Sequence, residues 1–225
     1  MFNWLFGKKE TEEDIQTEKL VRHLHEKYGV DFEAVKSTLY DDDGEKRINC
    51  ICTAQELAGR TFEADAECGG EEITDCSDGF LHARYADSIK SYADEILDKV
   101  FPHYTSVLDN DNSDTESPDR NGTDDLDSFI RPKEEDCSGI CFTVITDMDR
   151  DSVEALLPKL LQLIKEKNIR LEILVNIVPP DRYQEESDKL VAGGAGCICR
   201  SSLYYAFVNY YDEPEDLQVA EKEDN

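Results

Sequence analysis

The stretch ICFTVITDMDRDSVEALLPKLLQLIKEKNIRLEILVNIV, residues 140–178, decides the fold of this chain. It begins with a short apolar run rich in β-forming residues, and a second such run extends from Leu171 to Val178. Between the two runs, apolar residues recur at helical spacing: Val153, Leu157, Leu160, Leu161 and Ile164. The pattern predicts a strand, a crossover helix and a second strand, which together form a βαβ unit.

Two strands and one helix cannot bury their apolar faces alone, so the rest of the chain must supply more sheet and more helix. Alternating apolar residues predict further strands at Phe32, Ile48, Phe62 and Leu203. Helical spacing predicts helices from Glu12 and from Leu81. We therefore predict an α+β fold, in which one mixed β-sheet that contains the βαβ unit is covered by helices.

The domain organisation follows from a change in composition. Residues 109–136 hold eleven acidic and three basic residues and almost no apolar ones, which is typical of a disordered insertion. We predict a single α+β domain over residues 13–211, interrupted by this acidic insertion. Residues 1–12 are predicted to be a flexible N-terminus, and residues 212–225 a flexible acidic tail.

The charge of the chain restricts its partners. With 24 lysines and arginines against 52 acidic residues, the net charge is −28. Such a surface repels the phosphates of nucleic acids and anionic lipids, so we expect neither as a ligand. A basic protein partner or a cation stays open, and so does the simpler interpretation that the carboxylates keep the protein soluble.

The location of the protein is inferred from its apolar segments and its cysteines. No stretch is long and apolar enough to predict a membrane span. Eight cysteines occur without a recognisable secretory leader, which favours free thiols in a reducing cytoplasm. The oligomeric state is left open.

Two Cys-x-Cys pairs are the candidate metal ligands. Cys50 with Cys52, and Cys197 with Cys199, would supply four thiolates for a tetrahedral zinc site. The first pair, however, shares its strand face with Ile48 and Ala54, as residues of a buried core do. We therefore favour core packing and predict no metal and no cofactor.

Three aspartates, Asp147, Asp149 and Asp151, begin like a calcium-binding loop. Ser152 stands where that loop needs a glycine, and Pro158 stands where it needs a glutamate. The aspartates precede the predicted crossover helix, and Asp151 and Glu154 have the spacing of a capping box. A helix cap is therefore the favoured interpretation.

Several segments together resemble a known group of proteins. These are EKYGVDFEAV at residues 26–35, DGFLHARY at 78–85, KVFPHY at 99–104 and the long segment at 148–175. The chain from about residue 15 to 178 is similar to a group of uncharacterised small α+β proteins from gut Firmicutes. The resemblance implies an architecture and a bacterial source, and it implies no reaction. The acidic insertion and the aromatic C-terminal strand depart from the pattern of that group.

Two classes of function compete. The sequence carries no recognised catalytic motif, so we lean toward a protein that is not an enzyme. We expect a non-catalytic acidic protein of immunity or regulatory type that binds another macromolecule. Its candidate interaction residues are Tyr204, Tyr205, Tyr210 and Tyr211, since tyrosines are enriched in interface hot spots. The alternative is an enzyme whose active site no motif reveals.

Overall fold

A computed structural model describes residues 10–109, 125–132, 139–193 and 202–222. These residues belong to two compact units, which divide between Arg84 and Tyr85. The first unit contains a four-stranded sheet and the second a five-stranded sheet. Helices alternate with groups of strands along the chain. The predicted α+β class is confirmed. The prediction that residues 13–211 fold as one domain stays a prediction.

The first unit is built from a helix and an antiparallel sheet. Its elements are α1 Glu12–Tyr28, β1 Phe32–Asp42, β2 Glu45–Ala54, β3 Thr61–Glu67 and β4 Thr74–Asp78, with a short 3-10 helix at Gln55–Leu57. The strands are ordered β1-β2-β3-β4, and each neighbouring pair is antiparallel. The sheet is a meander, so every strand pairs with its neighbour in sequence.

Helix α1 has a defined signal at each end. Thr11 and Asp14 form a reciprocal capping box, in which each side chain accepts a hydrogen bond from the backbone of the other residue. Gly29 ends the helix with φ +66°, a left-handed conformation that glycine adopts without strain. The helix between them buries Leu20 and Leu24 completely.

The core of the first unit lies on one face of this sheet. Alternate residues of β2 and β3 are buried there: Ile48, Cys50, Cys52, Ala54, Phe62, Ala64 and Ala66. Phe80 is fully buried and packs its ring against Phe32 and Phe62, with centroid distances of 4.9 and 5.6 Å. The alternation that the sequence shows in these two strands is therefore confirmed as a buried face.

The carboxylate of Asp78 connects α1, the end of β4 and the residues that follow it. Lys27 Nζ donates to it at 2.8 Å, the Tyr28 hydroxyl at 2.8 Å and the backbone N–H of Phe80 at 3.1 Å. The Asp78 side chain has no exposed surface, whereas 26% of the Lys27 side chain is exposed. A buried carboxylate with three donors stabilises this junction only as long as all of its partners stay in place.

The second unit contains the predicted βαβ unit. Its elements are α2 Phe80–Leu97, β5 Thr105–Leu108, α3 Leu126–Ile130, β6 Ile140–Thr146, α4 Arg150–Lys167, β7 Leu171–Ile177, α5 Tyr183–Gly193, β8 Tyr204–Asn209 and β9 Ala220–Glu221. The first turn of α2 belongs to the first unit. The sheet order is β5-β6-β7-β8-β9. Only β6 and β7 pair in parallel, so the sheet is mixed.

Strands β6 and β7 pair in register over their whole length, from Ile140 opposite Leu171 to Thr146 opposite Ile177. Helix α4 buries the five apolar residues that the sequence singled out: Val153, Leu157, Leu160, Leu161 and Ile164. The βαβ unit is therefore confirmed. The cap differs in detail, because Asp149 and not the Asp151–Glu154 pair caps α4, by accepting a hydrogen bond from the Ser152 backbone at 2.9 Å.

The prediction of one sheet for all strands is wrong. The strands that begin at Phe32, Glu45 and Thr61 pair only with one another and with β4 among the described residues, whereas β6, β7 and β8 lie in the other sheet. The strand predicted at Leu203 begins one residue later, at Tyr204, and ends at Asn209.

Two predicted disordered segments are partly ordered. Within 109–136, residues 126–130 form α3, and its residues Phe129 and Ile130 are buried. Within 212–225, the backbone of β9 pairs with β8, and a 3-10 helix forms at Pro214–Asp216. Residue 12 of the predicted flexible N-terminus begins α1. The remaining predicted mobile residues, 1–9, 110–124, 133–136 and 223–225, lie outside the described residues.

Removing the buried carboxylate tests the role of Asp78 in the first unit. Asp78→Ala is expected to lower the free energy of unfolding by about 2–4 kcal/mol, because three donors lose their acceptor and Lys27 keeps a half-buried charge without a counter-charge. Urea unfolding followed by circular dichroism measures the change. Glu63→Ala on β3 removes an exposed carboxylate and is expected to change the value by about 0.5 kcal/mol or less. Equal losses in the two variants would contradict the account.

Candidate functional site

The four predicted interaction tyrosines lie in and after β8, but they do not form one surface. Successive side chains of a strand point to opposite faces, so Tyr204 and Tyr205 face away from each other. Tyr204 shares its face with the buried Ala206 and Val208 and lies under the guanidinium of Arg150, whose Cζ is 5.4 Å from the ring centroid. Tyr204 therefore packs against Arg150, and its predicted role in an interaction stays a prediction.

Tyr205 points to the other face, together with Phe207. The two rings meet edge to face, with centroids 6.0 Å apart and planes at 81°. Phe207 is 48% exposed, which is unusual for a phenylalanine in a strand. The sequence prediction omitted Phe207 because it singled out tyrosines. The alternation of the strand was the signal that would have grouped it with Tyr205.

Tyr210 and Tyr211 follow the end of β8. The Tyr210 hydroxyl donates to Asn168 Oδ1 at 2.9 Å, and its ring meets that of Tyr211 edge to face at 5.2 Å. Tyr211 is 39% exposed. We use the name aromatic segment for residues 203–211, whose exposed members are Leu203, Phe207 and Tyr211.

Acidic residues follow the aromatic segment directly. Residues 212–221 contain the acids Asp212, Glu213, Glu215, Asp216 and Glu221 and no lysine or arginine. Asp212 accepts a hydrogen bond from the Asn209 backbone at 2.7 Å, and Glu213 and Asp216 form a reciprocal capping box. These contacts hold several carboxylates in fixed positions after Tyr211. Exposed aromatic side chains and ordered carboxylates can together contact the apolar stems and the charged heads of basic residues.

The first cysteine pair lies in the core of the first unit. Cys50 and Cys52 have no exposed surface, on the face of β2 that α1 covers. A hydrogen bond with Cys50, together with burial, raises the pKa of the Cys52 thiol, which favours its neutral form. The same hydrogen bond lowers the pKa of the Cys50 thiol.

The second pair, Cys197 and Cys199, lies outside the described residues, so the four-cysteine site as a whole lies outside them too. Within the ranges that the structure describes, no group of three or more histidine, cysteine or acidic residues is arranged to hold a metal ion. In the same ranges, no helix has the length and apolar character that crossing a membrane requires.

One polar cluster of the second unit lies beside the predicted aspartates. His103 Nδ1 is 3.0 Å from Asp147 Oδ1, and the His103 ring stacks on Tyr183 at 4.1 Å. The Tyr183 hydroxyl is 3.0 Å from Thr105 Oγ1. The cluster stands at the carboxyl end of β6, one strand of the parallel pair. A histidine oriented by a carboxylate is suited to proton transfer, so the cluster is the best placed group for the enzyme alternative.

Comparisons with known proteins add one structural neighbour. No family and no curated protein matches the sequence. Among solved structures, the chain is similar to that of a DUF5037 family protein from Ruminococcus gnavus ATCC 29149, with 14% sequence identity and a TM-score of 0.44. The match covers 89% of this chain and 96% of the other. This neighbour comes from a gut Firmicute.

The half-buried thiol of Cys76 gives a test of the cysteine environment. Burial, followed by the neighbouring Asp78 carboxylate, raises the pKa of Cys76 to about 12. Because only the thiolate reacts, we expect Cys76 of the folded protein to react slowly with iodoacetamide at pH 8 and faster as the pH rises toward 12. Mass spectrometry of labelled peptides measures the rate at this site, with urea-unfolded protein as the control. Labelling at pH 8 as fast as in the unfolded chain would contradict this environment.

Proposed function

We propose that the protein is a non-catalytic binding protein and that its partner is a basic protein. The observation that carries the proposal is the exposure of Phe207 and Tyr211 in the aromatic segment, which residues 212–216 with their ordered carboxylates follow directly in the chain. The encounter belongs in the cytoplasm, where thiols such as that of Cys76 stay reduced.

The net charge supports a basic partner and argues against other classes. A charge of −28 raises the association rate of a positively charged protein and orients it during the encounter. The same charge repels nucleic acids and anionic membranes. Charge alone does not carry the proposal, because excess carboxylate also serves solubility.

The aromatic segment supplies the apolar contacts that charge alone does not provide. Binding energy is concentrated in a few residues that are buried at the centre of an interface, and aromatic residues are enriched among them. Phe207 and Tyr211 expose large rings, and the strand and the turn after it fix their positions, so little conformational entropy is lost on binding. Acids around such anchors form the polar rim that interfaces usually have.

The contributions of Phe207 and Tyr211 to binding can be measured separately from that of the net charge. The protein is immobilised and used to capture partners from its source cell at low and at moderate salt. We expect a basic protein whose recovery falls steeply with salt, because exposed charges are screened. With that partner purified, Phe207→Ala and Tyr211→Ala are each expected to weaken binding roughly ten-fold or more, as hot-spot truncations do.

Tyr40 provides the matched control. It is a tyrosine of the first unit with the same exposed fraction as Tyr211, 39%. Tyr40→Ala is expected to bind the partner like the unchanged protein. Equal effects of Tyr40→Ala and Tyr211→Ala would contradict a role for the aromatic segment. If no partner is recovered, and a metabolite screen finds turnover that His103→Ala abolishes, the enzyme alternative replaces the proposal.

A further inference from the structure

A groove of about 480 Å³ lies between α1 and the first residues of β1, within the first unit. Val21 contributes to its helix wall, and Phe32 and Ala34 contribute to its strand wall. All three are apolar and only partly buried. The groove therefore offers apolar contacts along the direction in which β1 runs.

The strand beside the groove has one side without a described partner. Strand β1 is at the edge of its sheet, and in the part of the chain that the structure describes it pairs with β2 alone. An edge strand presents a row of backbone N–H and C=O groups that another strand can pair with. A helix and an edge strand with an apolar groove between them form the arrangement that binds extended peptides by strand addition.

A bulge limits how much of this edge is usable. The pairing of β1 with β2 shifts register between Ala34 and Lys36, and Val35 is 61% exposed at that point. Bulges and edge lysines hinder uncontrolled pairing between sheets. The regular edge next to the groove is thus the short segment from Phe32 to Ala34, so it suits a short peptide better than a second sheet.

An exposed apolar residue of α1 extends the surface around the groove. Ile15 is 43% exposed and lies three residues before Glu18, on the same side of α1. Phe32 and Ala34 supply the apolar residues of the strand wall. Apolar residues on both elements at a groove are typical of a surface that a partner covers.

The charges around the groove favour a basic occupant. Glu18 and Asp31 line it, and Arg22 lies four residues after Glu18 on the helix, where the two opposite charges offset each other. His25 Nδ1 is 3.2 Å from Asp31 Oδ1 and 3.0 Å from the Val30 carbonyl oxygen. The rest of the first unit favours a positively charged occupant, since residues 10–84 carry 20 acidic and 8 basic residues.

We infer that this groove binds a short extended peptide, which adds as a strand beside β1, places apolar side chains next to Val21 and Phe32, and presents a lysine or arginine to the surrounding carboxylates. The inference goes beyond the proposed function, because it concerns the other unit and a different mode of binding. It does not depend on the aromatic segment.

Selection from a library of random twelve-residue peptides displayed on phage tests the inference, with the full-length protein immobilised. We expect enriched sequences with apolar residues at alternate positions and at least one lysine or arginine. Synthetic copies are then titrated by calorimetry against the protein and its variants. Val21→Glu, which places a carboxylate in the groove, is expected to weaken binding ten-fold or more.

Val191→Glu is the matched control, since Val191 is a 68% exposed valine on a helix of the second unit. It is expected to leave peptide affinity unchanged, and so are Phe207→Ala and Tyr211→Ala, which separates this site from the proposed interface. Hydrogen exchange of the unchanged protein supplies a readout that needs no variant. Amides of β1 that point away from β2 are expected to exchange more slowly with peptide bound.

Three results would each overturn the inference. One is the absence of any enriched peptide, and another is equal binding to Val21→Glu and Val191→Glu. The third is an enriched set with apolar residues at helical spacing and no protection of β1, which would indicate a helix in the groove in place of a strand.

Discussion

The parallel pairing of β6 with β7 is the constraint on which the second unit depends. A parallel pair cannot be closed by a tight turn, so the chain must leave the sheet and return through a crossover. Helix α4 is that crossover, and its five apolar residues are buried. Strand β7 also pairs with β8 on its other side, and this second pairing places Phe207 of the aromatic segment opposite Leu174.

Local patterns were sufficient to predict most elements of both units. The alternation of Ile48, Cys50 and Cys52, and the helical spacing from Val153 to Ile164, each correspond to a buried face in the structure. Such patterns are set by residues close in sequence, because the side-chain periods of strands and helices are fixed by the backbone. The sequence could therefore identify core cysteines and the βαβ unit without knowing their neighbours.

Strand pairing depends on residues far apart in sequence, and this is where prediction failed. Strand β4 at Thr74–Asp78 and the two-residue β9 contain few apolar residues, so no pattern indicated them. The division into two sheets was also missed, because the residues of one strand do not specify which other strand it pairs with. The exposure of Phe207 and the groove beside β1 also depend on tertiary structure. Each results from how residues far apart in sequence pack around it, so neither could be predicted from a local pattern.

Native-state hydrogen exchange tests the central place of the parallel pair most directly. Amides that open only with global unfolding exchange last. We expect the amides shared between β6 and β7 to be the slowest of the second unit, since both strands have neighbours on each side in the sheet and lie largely buried. Amides of β5 or of β8 that outlast those of β6 and β7 would contradict this account.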